Sequence, residues 1–314
     1  MSRDFNHYSN SQEWIEAKAE SGKWSLYKDN QKKYHLYKSF SIFGELHWFS
    51  YLIIDNLESR IKNIINDKEI HFIKVVVIKL IKKDLAPLKI EECNHSFNYK
   101  HKNIFIKKAK SACKSLNENF YIDLKKFDKK LLTKNWKRNL KRSEVKSSNF
   151  TYKNIDISKN IDKVYSIIIK NSKLKKYKYP YSKNFFKNIV LKSNSKIKGI
   201  GAFNKSNELV AIRAYYIMNN TAIDFIAAAL PEAFKYYVTY NLAYKLIINA
   251  KNNNHNIYNL GGVNYKLNEG VFNFKKGLGG ELKSDGDILV GIIVSKYLHK
   301  KIAKVLLSFI SRFF

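Results

Sequence analysis

Apolar and polar positions along this chain change period several times, and each change marks an element. Residues 11–23 (SQEWIEAKAESGK) carry a helix period anchored by Trp14 and stopped by Gly22. Residues 24–27, 34–39 and 46–54 alternate apolar with polar and predict antiparallel strands. A helix is expected over 57–67, and the β-branched run IHFIKVVVI at 70–78 predicts a strand. Residues 84–119 show little pattern until NFYIDL restores a strand at 119–124. The segment 125–142, KKFDKKLLTKNWKRNLKR, reads as a helix with Leu131, Leu132, Trp136 and Leu140 on one face and a basic opposite face. Two helices follow at 161–173 and 183–193, separated by YKYPYS around Pro180. Three strands come next, at 197–203, 208–218 and 221–229, joined by the turn NKSN and by Asn219-Asn220. Pro231 then opens a long helix over 232–251, and a strand at 257–260 ends the series.

That last strand delivers the chain into NIYNLGGVNYKLNEGVFNFKKGLGGEL, residues 256–282. Ten of the chain's 12 glycines lie at or after Gly199, among them Gly261, Gly262, Gly277, Gly279 and Gly280, so backbone freedom is concentrated here. Adjacent glycines after a strand mark either main chain shaped closely around a ligand, with an aromatic-lysine turn between the two clusters, or simply two turns.

Composition narrows the classes. At 314 residues with 45% hydrophobic and 14% aromatic content, the chain is globular and long enough for two cores. No apolar run reaches the ~18 residues that would span a bilayer; the best, 72–81, is broken by Lys74 and Lys79. Cys93 and Cys113 lack metal or redox spacing, and the N-terminal residues carry no apolar signal, so the expected compartment is a reducing cytoplasm. The net charge of +32 favours an anionic partner, yet the lysines are spread throughout and accompany abundant Asn and Ile, as AT-rich coding gives. A modest expectation survives: a tRNA, a nucleotide-linked substrate or a phospholipid surface.

Helices, three antiparallel strands, a long helix and another strand form the order of the GNAT acyltransferase fold. The junction that in GNAT enzymes carries a glycine-spaced pyrophosphate loop reads AAALPEAFKYY, without glycine. Over nearly its full length the chain resembles the Fem-type aminoacyltransferases. The resemblance is carried by SQEWIEAKAESGKW, by NFYIDL with LLTKNWKRNLKRS, by AALPEAFKYYVTYNLAYKLI, and by YNLGGV with GVFNFKKGLGGEL. It implies an α/β (α+β) fold of two GNAT-like domains, each a mixed, mostly antiparallel sheet flanked by helices. The expected division is 1–125, joined by a C-terminal helix at 290–314, and 126–289.

The resemblance also implies a reaction. A neutral amine attacks the ester of an aminoacyl-tRNA through a tetrahedral oxyanion, and a ribose hydroxyl leaves. The acceptor implied is an amine of a cell-wall peptide or related surface-glycan precursor. Such a donor is already activated, so positioning and charge stabilisation suffice, with no covalent nucleophile, cofactor or metal expected. Lys275 is the implied contact for the oxyanion or donor phosphate. Phe274 and Lys276 flank it, Phe274 packing under the turn or meeting substrate, and Gly261 and Gly262 allow close approach of the acceptor or form a plain turn. Tyr236, Tyr237, Tyr240 and Tyr244 recur at helical spacing as core positions, with Tyr240 selected to face the substrate. Asp224 is either a general base for the incoming ammonium or half of a hairpin salt bridge. Arg138 and Arg142, one turn apart, suit a phosphate or the tRNA end.

Residues 292–314, IIVSKYLHKKIAKVLLSFISRFF, read as a basic amphipathic helix that docks on the first domain or lies on an anionic membrane. Two other readings stand beside the leading one. One is an acyl-CoA-dependent GNAT enzyme acting on an amino sugar or small amine. The other is an idle RNA- or membrane-surface module, for which no interleaved aromatic motif is visible in the sequence.

Overall fold

The computed structural model describes residues 11–23, 25–28, 34–40, 44–49, 74–81, 94–99, 102–108, 118–262, 268–284 and 287–295. The chain divides into two compact units, Met1–Glu118 with Ser284–Phe314, and Asn119–Lys283. The helix expected over 57–67, Cys93, Cys113 and the tail after 295 lie outside the described residues.

In the first unit, helix α1 (Gln12–Lys18) is capped by the Ser11 hydroxyl, which accepts from Trp14 N, and Trp14 is buried as expected. Gly22, at φ 84°, ends the helical segment, a backbone setting that glycine adopts without penalty. Seven strands form one sheet: β1 (Ser25–Lys28), β2 (Tyr34–Phe40), β3 (Gly44–Phe49), β4 (Lys74–Ile81), β5 (Asn94–Tyr99), β6 (Lys102–Lys108) and β14 (Asp287–Ser295). Their order is β1-β2-β3-β4-β14-β6-β5, antiparallel except at β3 with β4. Two expectations are corrected here. The weakly patterned stretch holds the hairpin β5–β6, whose polar Asn and Lys positions hide its period. Residues 292–295 are the end of β14 rather than the start of a helix, because the β-branched run DILVGIIVS pairs with β4 on one side and β6 on the other.

The second unit holds another seven-stranded sheet: β7 (Glu118–Asp123), β8 (Thr151–Ile155), β9 (Ile197–Phe203), β10 (Leu209–Met218), β11 (Thr221–Ala229), β12 (Ile257–Gly262) and β13 (Glu281–Ser284). The order is β13-β7-β12-β11-β10-β9-β8, and only β11 and β12 are known to run parallel among the registered pairs. β7 belongs to this sheet, so the unit begins before residue 126. The hairpin β10–β11 closes where the sequence indicates. Met218 pairs with Thr221, and Asn219 and Asn220 both take positive φ, the setting that matches strand twist in a two-residue turn. Helices α3 (Ile161–Leu174) and α4 (Lys183–Lys192) fall at their expected positions.

Two helices differ from expectation for local reasons. The segment 125–142 yields a short 3-10 turn at Lys129–Leu131 and then α2 (Lys134–Lys146). The Asp128 carboxylate accepts from Lys130 N at 2.6 Å, and the Thr133 hydroxyl accepts from Trp136 N at 3.4 Å, so polar side chains start the helix only at Lys134, about two and a half turns late. The long helix over 232–251 is two helices, α5 (Pro231–Lys235) and α6 (Val238–Asn252), with Tyr237 at φ 58° between them. In an unbroken helix, Ala233 and Val238 would point about 140° apart; the break turns both into the core, where each is fully buried. Helix α6 packs on β9 and β10, and α3 on β11. Tyr215 and Tyr216, neighbours on opposite faces of β10, are both fully buried, so helices cover both sides of the strand.

Candidate active site

The site is built where the parallel pair of the second unit's sheet, β11 with β12, comes apart. Residues 221–223 of β11 pair with 257–259 of β12, and the ladder then stops although both strands continue. Ligands of mixed sheets favour the crevice beyond the carboxyl ends of such strands. A bulge on β11 aims a carboxylate into this region. Up to Ala214↔Ile226 the hairpin keeps one register; then Tyr215 pairs with Asp224, leaving Phe225 as the extra residue. Without that bulge Asp224 would oppose Tyr216 and point to the other face. With it, Asp224 shares a face with Arg213. Arg213 Nε donates to Asp224 Oδ1 at 3.0 Å and Nη2 to Oδ2 at 2.8 Å, a bidentate pair, and Tyr258 Oη donates to Oδ1 at 3.1 Å. The two charged side chains are only 8% and 11% exposed. Burial works against the Arg213 charge, but Asp224 outweighs it and holds the guanidinium pKa above its usual value. Burial, with Asp224 beside it, pushes the Tyr258 phenol well up, so Tyr258 stays a donor.

Lys275 comes to this pair from α7 (Glu269–Gly277). The sequence reads these residues as a turn. They form a helix because the Asn268 side chain accepts from Val271 N, a cap obscured by the glycines at both ends of the segment. Lys275 Nζ donates to the carbonyls of Gly261 at 3.3 Å and Gly262 at 2.9 Å. Gly261 sits at φ 76°, which turns its carbonyl toward the lysine, so glycine at this position has a conformational cause. Two of three ammonium N–H groups are thus used. Among the described residues the third meets no acceptor. Lys275 is half-buried, and its pKa is pulled down to about 8, chiefly by burial; Asp224 raises it and Arg213 adds to the lowering.

Trp136 locks α7 in place. Its Nε1 donates to Phe274 O at 3.0 Å, and Thr133 N donates to Gly277 O at 3.0 Å. A β-carbon on Gly277 would lie 2.5 Å from Trp136 Cδ1, closer than real β-carbons come, and 3.1 Å from Thr133 Oγ1, a tight contact. Gly277→Ala is therefore expected to cost about 1–3 kcal/mol, read as a lower midpoint in urea unfolding; an unchanged midpoint would show that α7 is not clamped in this way.

Of the residues singled out from sequence, Lys275, Phe274, Gly261, Gly262, Asp224 and Tyr240 come together. Phe274 packs its ring against Trp136 at 5.4 Å and Tyr240 at 5.3 Å, and the Arg213 guanidinium lies 5.4 Å from its centroid. Tyr240 is partly buried within this aromatic group, 4.8 Å from Trp136. Lys276 is exposed and lies over the Phe272 ring. Arg138 is exposed and donates to Asn135 at 2.7 Å; Arg142 reaches Tyr237 Oη at 3.5 Å, at the far end of the aromatic series. Arg213 and Tyr258 were missed. An arginine inside the apolar strand LVAIRAYYIM was the available signal, since a buried cation demands a partner. Among the described residues no group of three His, Cys, Asp or Glu side chains is arranged to hold a metal ion.

No protein-family model matches the sequence, and no curated protein matches it significantly. Solved structures do match the fold. The chain is similar to the crystal structure of FemX, with a TM-score of 0.68 at 12% identity over 96% of this chain and 95% of that one. It is also similar to L-PGS from Bacillus licheniformis, with a TM-score of 0.51 at 12% identity over 95% and 96%. The expected fold of two sheet-and-helix domains is therefore shared along essentially the whole length of both.

Proposed function

We propose that this chain is an N-acyltransferase that moves an aminoacyl group from aminoacyl-tRNA to an amine of a cell-wall peptide or related surface-glycan precursor. The observation that carries the reading is Lys275, held by the Gly261 and Gly262 carbonyls beside a buried Arg213–Asp224 pair, with one N–H that meets no acceptor among the described residues. The likeness to FemX supports it, since this is the group the sequence itself resembles.

The chemistry follows from that geometry. The acceptor nitrogen attacks the donor's ester carbonyl, the new C–N bond forms, and negative charge grows on the carbonyl oxygen. Lys275 meets that oxygen with its remaining N–H, stabilising the tetrahedral state where the charge develops. Collapse breaks the C–O bond to the ribose, and the proton lost by the nitrogen balances the hydroxyl that leaves. Both oxygens of Asp224 already accept from Arg213 and Tyr258, so its role is to hold Arg213 and offset positive charge near Lys275, rather than to take the ammonium proton. Phe274, Gly261 and Gly262 shape the ground around Lys275, and Tyr240 packs behind Phe274. The residues after 295 remain the candidate for contact with an anionic membrane; among the described residues no helix is long and apolar enough to cross one.

Donor capture tests the reading. Labelled charged tRNA should be retained better than uncharged tRNA at matched salt, and Lys275→Ala should reduce that preference. Equal retention of both, together with retention of acyl-CoA, would replace it with acyl-CoA chemistry. That chemistry is disfavoured by the glycine-free junction at Leu230 and Pro231.

A further inference from the structure

The corner between α5 and α6 carries three aromatic residues in four positions, and each has a cation against its ring. Lys175, which caps α3, lies 5.4 Å from the Phe234 centroid, and Lys235 lies 5.6 Å from that of Tyr236. Tyr237 has two: Arg142 at 5.8 Å and Lys146 at 5.7 Å, one turn apart on α2. Such contacts occur about once per 70–80 residues. Four of them gather at this one corner.

Tyr237 is also in a conformation that its β-carbon penalises, φ 58°, ψ 17°, where glycine or asparagine is the usual occupant. From its ring a series leads inward: Tyr237 to Tyr240 at 6.2 Å, Tyr240 to Phe274 at 5.3 Å, and then the next residue, Lys275. Alongside, α2 turns Arg138, Lys141, Arg142 and Lys146 outward, with Val145, 70% exposed, the apolar residue among them.

We propose that this corner and the outer face of α2 bind the single-stranded 3′ end of an RNA. Arg142 and Lys146 hold phosphates, a base stacks on Tyr237, and the end runs along the ring series toward Lys275. The direction of the strand rests on the aminoacyl-tRNA reading above. Rings interleaved with cations match bases alternating with phosphates. A membrane surface calls for a continuous apolar face; here the exposed Val145 sits among the cations of α2 and the exposed Phe234 lies under Lys175.

The test is fluorescence anisotropy with a short unacylated single-stranded RNA, a blunt duplex of equal length and phosphatidylglycerol vesicles. Glycine takes the Tyr237 backbone conformation freely, so Tyr237→Gly removes the ring without unfolding the unit, and its melting temperature should be unchanged or higher. Expected results are tighter binding of single strand than duplex and a loss of about tenfold for single strand alone in Tyr237→Gly. In Arg142→Gln with Lys146→Gln, the salt slope should fall by about one to two. Equal binding of the two RNAs, indifferent to Tyr237→Gly, would overturn the proposal; so would vesicle binding that depends on Tyr237 while RNA binding does not. RNA binding as expected without any aminoacyl transfer would sink the acyltransferase reading alone. Transfer at full rate in Tyr237→Gly would sink the RNA site alone.

Discussion

Lys275→Met lowers the single-turnover rate of aminoacyl transfer by about two to three orders of magnitude, the usual loss when one oxyanion donor is removed. Its pH dependence identifies the role. Burial brings the lysine to a pKa of about 8, so the charged form that stabilises an oxyanion is lost as pH rises through that value. The wild-type rate constant then shows a falling limb near pH 8, and Lys275→Arg, which keeps its charge, retains partial activity and loses that limb. A rate that rises through pH 8, with the arginine variant inactive, would make the lysine a base instead. Stability moves in the opposite sense to the rate. Below pH 8 the lysine is charged both folded and unfolded, and the cost of burying the charge is fully present. Between about 8 and its ordinary value of 10.5 the unfolded chain keeps the proton that the folded one has released. Wild-type stability therefore gains on Lys275→Met as pH climbs through that window.

Arg213→Met destabilises the second unit by about 3–5 kcal/mol, because it strands the Asp224 carboxylate where water scarcely reaches. Asp224→Leu does the same to the guanidinium. The double substitution recovers most of the loss, since a buried ion pair contributes little net stability over an apolar pair of similar volume. Urea unfolding of the three variants decides it. Single variants that unfold at the wild-type midpoint would mean that the pair opens to solvent, and that it cannot be what fixes the charge balance around Lys275.

The strands β9 to β11 and their Asn-Asn turn were legible because each is decided by neighbours in sequence: period, β-branching and two residues that tolerate positive φ. What escaped was decided across the chain. One extra residue, Phe225, sends Asp224 to the face of Arg213, and nothing in TAIDFIAAA announces a bulge. The break at Tyr237 exists because Ala233 and Val238 must enter one core, a demand made by the sheet beneath rather than by helix propensity. At that corner the rings and Lys235 stand together in the sequence as FKYY, but Arg142 and Lys146 come from α2 and Lys175 from the end of α3, so no linear motif displays the full interleaving. Lys275 was found through family resemblance. Its partners Gly261 and Gly262 were noticed as glycines, but the use made of their carbonyls depends on α7 folding back over them.

Strand β14 has a consequence for biogenesis. It lies between β4 and β6 as an interior member of the first sheet, yet it comes from residues 287–295. Everything needed for the second sheet lies between residues 118 and 284 in one uninterrupted stretch. As the chain leaves the ribosome, β1 to β6 emerge ahead of β14 and must wait with two unjoined edges while residues 109–286 are made, and within that span the second unit can already close. Of the two units, the one begun earlier is therefore the one completed later.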